Sequence, residues 1–290
     1  MERAIQDYIT YLHNVKRVSY NTEISYERDL KDAAEYFSRN DISSLKDITA
    51  TNLNSYMLWL EKENLSSATV SRRIAALRSF FQYLKKENIV DTDPTGELKR
   101  PKVEKKAPRI LDSEEVDRLM AQPDRKTLKG LRDRAMLELL YATGIRVSEL
   151  ISLEMSDIEL KRGYMVCRRK VRESWIPFGD SAKKALSMYL KHARDVFLKG
   201  KESSLVFTNC SGGSMSRQGF WKIIKKYAAD AGISGEITPH TLRHSFAIHL
   251  LQNGAELKNV QEMLGHSDIS TTAMYASLDT LQLRQAYGNE

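Results

Sequence analysis

The stretch "DTDPTGELKRPKVEKKAPRIL", residues 91 to 111, limits what this chain can fold into before any other feature does. It holds three prolines, a glycine and a run of basic residues with few apolar anchors. Such a segment neither continues a helix nor settles inside a sheet, so it reads as an extended connector. A chain of 290 residues divided there leaves two parts, each long enough to bury a core of its own. The expected organisation is a helical domain over residues 1–98, a basic linker over 99–110 and a second domain over 111–290.

The first part carries helical periodicity. In "SSATVSRRIAALRSFFQYLKKEN", Val70, Ile74, Leu77, Phe81 and Leu84 fall on one stripe, Arg72 lies nearly opposite it, and Arg73 and Arg78 sit at its shoulders. Ser66 or Ser67 can cap its start. "TEISYERDLKDAAEYF" repeats the spacing through Ile24, Tyr26, Leu30, Ala33 and Phe37, and "TNLNSYMLWLEKEN" supplies a further helix. The second part restarts helically at "LDSEEVDRLM", with Asp112 or Ser113 as cap and acids in the first turn. It then changes period. "GYMVCRRKVRESWIPF" alternates and is rich in Val, Tyr, Trp and Ile, which predicts a hairpin of short strands with a basic tip, and "SLVF" is a candidate third strand. "SRQGFWKIIKKYAADAGI" returns to a helix with Phe220, Ile224, Tyr227 and Ala231 inward and Gly232 as its stop.

The totals narrow the class. With 41% hydrophobic and 29% charged residues the composition is that of a globular chain, and 45 Lys+Arg against 38 Asp+Glu give a net charge of +7, compatible with a nucleic-acid partner. Cys167 and Cys210 form neither a disulfide framework nor a cysteine zinc pattern. The start "MERAIQDYITYL" is charged throughout and lacks a signal core, and no apolar run approaches a membrane span. The expected location is the cytoplasm, with no membrane partner.

Four constellations in the second part could carry chemistry. In "YATGIRVSEL" a helix ends at Gly144 and Arg146 opens the next; an arginine there can fork two donors onto a phosphate, or pair with a carboxylate such as Glu149. In "TPHTLRHSFA" Thr238 caps a helix, Pro239 takes its first position, and His240 and Arg243 project from neighbouring points of one face. The pair suits an anion near the helix's positive end; the ordinary reading, which the stretch alone favours, is a backbone-satisfied histidine beside a surface arginine. His240 and His244 stand four apart, but Thr241 replaces the glutamate of a zinc-binding "HExxH". In "LGHSDISTTAMYASL" Gly265 ends a helix, His266 sits in the turn, and Ser270 can cap a short helix bearing Tyr275. Last, Arg168, Arg169, Lys170 and Arg172 crowd the hairpin tip.

Each of these has an ordinary structural reading when taken singly. As an ordered set, Arg146, Lys170, His240-x-x-Arg243, His266 and Tyr275 resemble the active-site signature of the tyrosine recombinases, and "ATGIRVSEL", "PHTLRHSFA" and "LGHSDISTTAMY" are close to its Xer-type members. The resemblance spans nearly the whole chain. It implies a mainly α, two-domain C-shaped clamp: an N-terminal SAM-like core-binding bundle, and a mostly helical catalytic domain with a small antiparallel sheet. It implies cleavage of double-stranded DNA by Tyr275 through a 3′-phosphotyrosine, with no metal, ATP or other cofactor. Arg146, Arg243, His240 and His266 would hold the phosphate, His240 would be the favoured base and Glu149 would orient Arg146. Lys170 would protonate the leaving oxygen; the family's glycine-flanked lysine turn here reads "RRKVRES", so Arg169 and Arg172 compete for that place. Arg72 and Arg73 are candidates for a DNA groove, and Lys222, Lys225 and Lys226 for phosphates. The resemblance further implies tetramers on paired sites, of this chain alone or with a sister recombinase. The tail "SLDTLQLRQAYGNE" would pack in a neighbour, and a DNA translocase or accessory activator is a further candidate partner. The biological role implied is resolution of chromosome dimers at cell division. A mobile-element integrase, a topoisomerase-like relaxer and a non-catalytic DNA-binding regulator are the alternatives.

Overall fold

The computed structural model describes residues 1–99, 101, 109–169 and 173–265. Part of the expected linker, the hairpin tip with Lys170 and Arg172, and everything from His266 onward, including Tyr275 and the tail, lie outside the described residues. The chain divides into two compact units, Met1–Lys106 and Ala107–Glu290.

The first unit is built from α1 (Glu2–Tyr11), which runs into a π-helical turn Leu12–Lys16, then α2 (Tyr20–Arg39), α3 (Ala50–Lys62) and α4 (Ser67–Lys86). Side-chain caps set the helix starts: Ser19, Thr49 and Ser66 each accept from a backbone N–H of the first turn, so Ser66 rather than Ser67 opens α4. The stripe on α4 is inward as expected, and it meets Tyr8, Phe37, Leu53, Tyr56 and Leu60 in a single core. The stripe on α2 holds only from Tyr26 onward. Ile24 is exposed, while Glu23 and Asp29 are buried, because the start of α2 faces the polar partners His13, Arg72 and Arg73.

The second unit runs α5 (Ser113–Ala121), α6 (Leu128–Thr143), the single turn α7 (Val147–Ile151), three strands, and then α8 (Asp180–Tyr189), which passes through a π-helical turn Leu190–Arg194 into α9 (Asp195–Leu198). α10 (Arg217–Asp230), α11 (Pro239–Gln252) and α12 (Leu257–Leu264) complete it. The strands β1 (Ile158–Glu159), β2 (Tyr164–Arg168) and β3 (Glu173–Pro177) form an antiparallel sheet in sequence order, with Met165 opposite Ile176 and Cys167 opposite Ser174. The hairpin is where the alternation placed it. The third strand is not "SLVF": Leu205 makes an isolated bridge to Glu154, while Val206 and Phe207 are fully buried outside any strand. Ile158–Glu159 takes that edge instead. On α10 the buried stripe is Phe220, Ile224, Tyr227 and Ala228, with Ala231 at its margin and Gly232 at φ +66° beyond it.

The main core of the second unit gathers α6, α8, α10 and the inner face of the sheet around Met136, Leu140, Met165, Leu186 and Phe220. A second, smaller cluster joins α11 to α12 through Phe246, Ala247, Ile248, Val260 and Leu264. This division matters, because α12 is fixed by few apolar contacts and its end is held by polar ones. Among the described residues no helix is long and apolar enough to cross a membrane.

Candidate active site

Two glycine turns shape the site. α6 stops at Gly144, whose φ of +59° is costly for any L side chain. A Cβ there would also meet the Phe246 ring at 2.3 Å. The chain reverses through buried Ile145 and opens α7 with Arg146 as its cap residue. Glu149, three residues on, accepts from the Arg146 backbone N–H at 2.7 Å through Oε2 and from Arg146 Nη1 at 3.1 Å through Oε1. The carboxylate thus fixes both the backbone and the guanidinium of the same arginine. Burial alone would raise the Glu149 carboxyl, but the Arg146 N–H and the charge of Arg169 outweigh it and hold the group below the usual range.

α11 begins as its sequence predicts. The Thr241 N–H donates to the Thr238 side chain at 3.2 Å, Thr241 Oγ1 accepts from the Thr238 N–H at 3.1 Å, and Pro239 follows the cap. This sets His240 at the exposed rim and Arg243 one turn deeper, only 4% exposed. Arg243 is therefore not the surface arginine of the ordinary reading. It donates through Nη1 to the Gly144 carbonyl and through Nη2 to the Leu264 carbonyl at 2.6 Å. α12 ends at Gly265, φ +65°, and the Gly265 carbonyl accepts from Arg146 Nη2 at 3.4 Å.

Arg146, His240 and Arg243 come from two segments about 100 residues apart in sequence and line one groove of about 480 Å³. Arg217, Gln218 and Trp221 at the start of α10 line the same groove. The His240 imidazole is held below its ordinary range by desolvation first, then by the charges of Arg243 and Arg146. His244 behind it is pushed down to about 4 by burial, His240 and Arg243. Both rings are consequently neutral at pH 7, a state in which His240 can accept a proton. Among the described residues no group of three or more His, Cys, Asp or Glu is placed to hold a metal.

The other site residues divide. Lys170, His266 and Tyr275 lie outside the described residues, though β2 leads directly to the first and Gly265 to the second. Arg169 is described, and it does not project as a free cation: its side chain is 11% exposed and bonded to Glu149 at 3.1 Å and Met263 O at 3.0 Å. Lys222 and Lys225 are exposed on α10. Arg72 and Arg73, expected to reach a DNA groove, are turned inward within the first unit. Arg72 pairs with buried Asp29, and Arg73, 12% exposed, donates to Asp32 at 2.7 Å and to the Tyr56 hydroxyl at 3.0 Å. Buried Asp29 draws both arginines toward it, because an unpaired charge there would be expensive, and half-exposed Asp32 takes the remaining donor of Arg73. The groove wall of Arg217, Gln218 and Trp221 was missed; a helix start with one aromatic among polar residues gives no distinguishing pattern.

Comparison with known proteins agrees with this geometry. The model for the phage integrase family matches residues 109–281, and that for the phage integrase N-terminal SAM-like domain matches residues 5–88. A tyrosine recombinase XerD of Oceanobacillus iheyensis is 45% identical over 290 residues, covering 99% of this chain and 97% of the relative. Another of Staphylococcus haemolyticus is 42% identical over 288 residues, covering 99% and 98%. Among solved structures, XerH recombinase in a post-cleavage complex with palindromic difH substrate shares the fold at a TM-score of 0.77. It is 23% identical and covers 99% of this chain and 84% of its own. XerA recombinase aligns at 0.55 with 25% identity, covering 98% and 96%. On its full-length relatives, and on a family match that runs through the groove-lining arginines, the chain belongs to the phage integrase family of tyrosine recombinases.

Proposed function

We propose that the chain cuts and rejoins duplex DNA at a specific site through a 3′-phosphotyrosine on Tyr275, and that it serves resolution of chromosome dimers at cell division. The observation that carries the chemistry is the convergence of Arg146, His240 and Arg243 on one groove around the Gly144 and Gly265 turns. Two guanidiniums and an imidazole gathered there suit the charge that collects on a pentavalent phosphorane, and removing one such donor costs roughly 3 kcal/mol of transition-state stabilisation. Tyr275 Oη attacks the phosphorus and its proton passes to His240. The P–O bond to the 5′ oxygen breaks, and Lys170 protonates that oxygen as it leaves. The 5′-hydroxyl of a second duplex then reverses these steps, so the phosphodiester is conserved and no ATP is consumed. His266 adds a donor to the phosphate, and Glu149 holds Arg146 in place.

Lys222 and Lys225 are proposed phosphate contacts. The chain acts as a tetramer on two paired sites, alone or with a sister recombinase, in the cytoplasm where the chromosome lies. Similarity to relatives named XerD along nearly the full length favours the chromosomal role over a mobile-element one. The test uses duplexes selected from host DNA by binding to the protein and nicked so that a cleaved end diffuses away. Chelated enzyme is expected to give a covalent protein–DNA band with Tyr275 and none with Tyr275→Phe. Binding without a band, with and without a sister protein, would refute the enzymatic reading.

A further inference from the structure

The last turn of α12 offers four consecutive backbone carbonyls, and arginines from three other segments take all of them. Glu262 O accepts from Arg169 Nη1 at 3.5 Å, Met263 O from Arg169 Nη2 at 3.0 Å, Leu264 O from Arg243 Nη2 at 2.6 Å and Gly265 O from Arg146 Nη2 at 3.4 Å. Helix ends leave such carbonyls short of intrahelical partners, although Glu262 O also accepts from the Gly265 N–H at 3.1 Å, and cations there are favoured by the helix dipole. Two of the three arginines are the proposed phosphate clamp. The third, at the end of β2, has no part in the reaction proposed above.

We propose that Arg169 is a positioning residue that keys the β2–β3 hairpin to both halves of the phosphate clamp, and that it is not the proton donor to the leaving group. This rests on the assignment of Arg146 and Arg243 as that clamp. Arg169 meets four acceptors on three elements. Nε donates to Glu149 Oε1 at 3.1 Å, Nη1 to Ser174 Oγ at 3.3 Å on the facing strand, and the two terminal nitrogens to α12 as above. Only a planar fork of five N–H donors can do this, and a lysine ammonium cannot. The Glu149 oxygen that Arg169 reaches is the one that also receives Arg146 Nη1. Arg169 and Arg146 therefore share that one oxygen, and a single carboxylate ties the two guanidiniums together. Arg169 also lies flat against Gly265, where a Cβ would meet Nη1 at 2.3 Å. The residue after Arg169 is Lys170 and the residue after Gly265 is His266, so the latch sits at the root of two proposed catalytic groups. A guanidinium does not deprotonate in proteins, which removes Arg169 as an acid on chemical grounds as well.

The test is single-turnover cleavage of the nicked duplex in two forms, one ordinary and one with sulfur at the bridging 5′ position, whose departure needs no proton. Arg169→Ala is expected to slow cleavage about 100-fold on both forms, the scale of a misplaced clamp, with DNA binding retained. Added guanidinium ion should restore part of the rate, and Arg169→Lys should not. Lys170→Ala should be slow on oxygen and restored on sulfur. Sulfur rescue of Arg169→Ala would make it part of proton delivery and overturn the proposal, as would a wild-type rate in Arg169→Lys. A readout independent of activity comes from urea melts. Gly265→Ala should destabilise the wild type more than it destabilises Arg169→Ala, because the clashing partner is gone; equal losses would refute the latch. If wild type forms no Tyr275-dependent adduct, the functional reading fails while this coupling still decides the latch.

Discussion

Arg146 and Arg243 are proposed to do the same thing to a phosphate, yet the fold treats them differently, and substitution should separate them. Arg243→Ala removes a guanidinium that is almost wholly buried and leaves the Gly144 and Leu264 carbonyls inside the protein without it. A buried acceptor stripped of its partner costs about 1–3 kcal/mol. Two of them, offset in part by no longer burying a charge, put the loss at about 2–4 kcal/mol. Arg146→Ala removes a side chain that is 43% exposed, paired with a carboxylate of its own helix turn and bonded to Gly265 O only at 3.4 Å. Such a pair contributes about 0–1 kcal/mol. Urea unfolding in a Trp59→Phe background would follow Trp175 and Trp221, which both lie in the second unit. With m-values of roughly 2–3 kcal/mol/M, the midpoint for Arg243→Ala should fall by roughly 1 M while that for Arg146→Ala barely moves. Both variants should lose cleavage by about 100-fold or more. If Arg243→Ala matches wild-type stability within 0.5 kcal/mol, a difference of about the size of ordinary surface effects, the carbonyl contacts are not what holds the two turns together.

Other consequences follow from single contacts. Gly144→Ala should destabilise the second unit by about 2–4 kcal/mol, combining left-handed backbone strain with overpacking against Phe246, and a thermal melt would show it. Ser245 is fully buried, accepts from the Leu111 N–H at 2.8 Å and donates to Thr241 O at 2.9 Å, so Ser245→Ala orphans that N–H at about 1–3 kcal/mol in the same melt. The His244 pKa is about 4 in the folded protein against about 6.5 unfolded. Its contribution to stability is therefore complete above the unfolded value and is lost as pH falls through the folded one. Melts between pH 7 and pH 4 should record that loss, reduced in His244→Gln. Because His240 is also held low, the acid limb of the cleavage rate profile should lie below the ordinary histidine range. A limb at or above 6.5, the ordinary histidine value, would remove His240 as the base.

What could be read from the sequence was local chemistry. Thr238-Pro239, Asp112 and the two turn glycines each state a backbone requirement in one or two residues, and each element boundary they imply is present. Failures came where a partner elsewhere decides. Ile24 sits on a regular apolar stripe but is exposed, since α2 turns its first turns toward His13 and Arg72. "SLVF" has the composition of a strand, and a short buried run has the same composition whether or not it pairs. Arg72 and Arg73 lie off the apolar stripe in the sequence, which says they avoid the core but not whether water or a buried carboxylate meets them. Arg169 is the plainest case. In the sequence it is one of four basic residues in a turn, and only the approach of Glu149 and α12 distinguishes it from the others.

The carbonyls at the end of α12 give the clamp an asymmetry that bears on how it works. Donors that are already fixed in the free protein stabilise a transition state without reorganising at the moment of reaction. Arg243 meets that condition, because Leu264 O and Gly144 O hold its guanidinium from two directions inside the protein. Arg146 meets it less completely: Glu149 sets its plane, but its outer nitrogen rests on a long bond to Gly265 O that an arriving phosphate can replace. The small apolar cluster under α12 leaves the helix end dependent on these same bonds. Loss of the Arg146 bond to a phosphate would leave α12 tethered by Arg243 and Arg169. A latch outside the reaction is then what lets one arginine of the clamp engage DNA without loosening the turn that leads to His266.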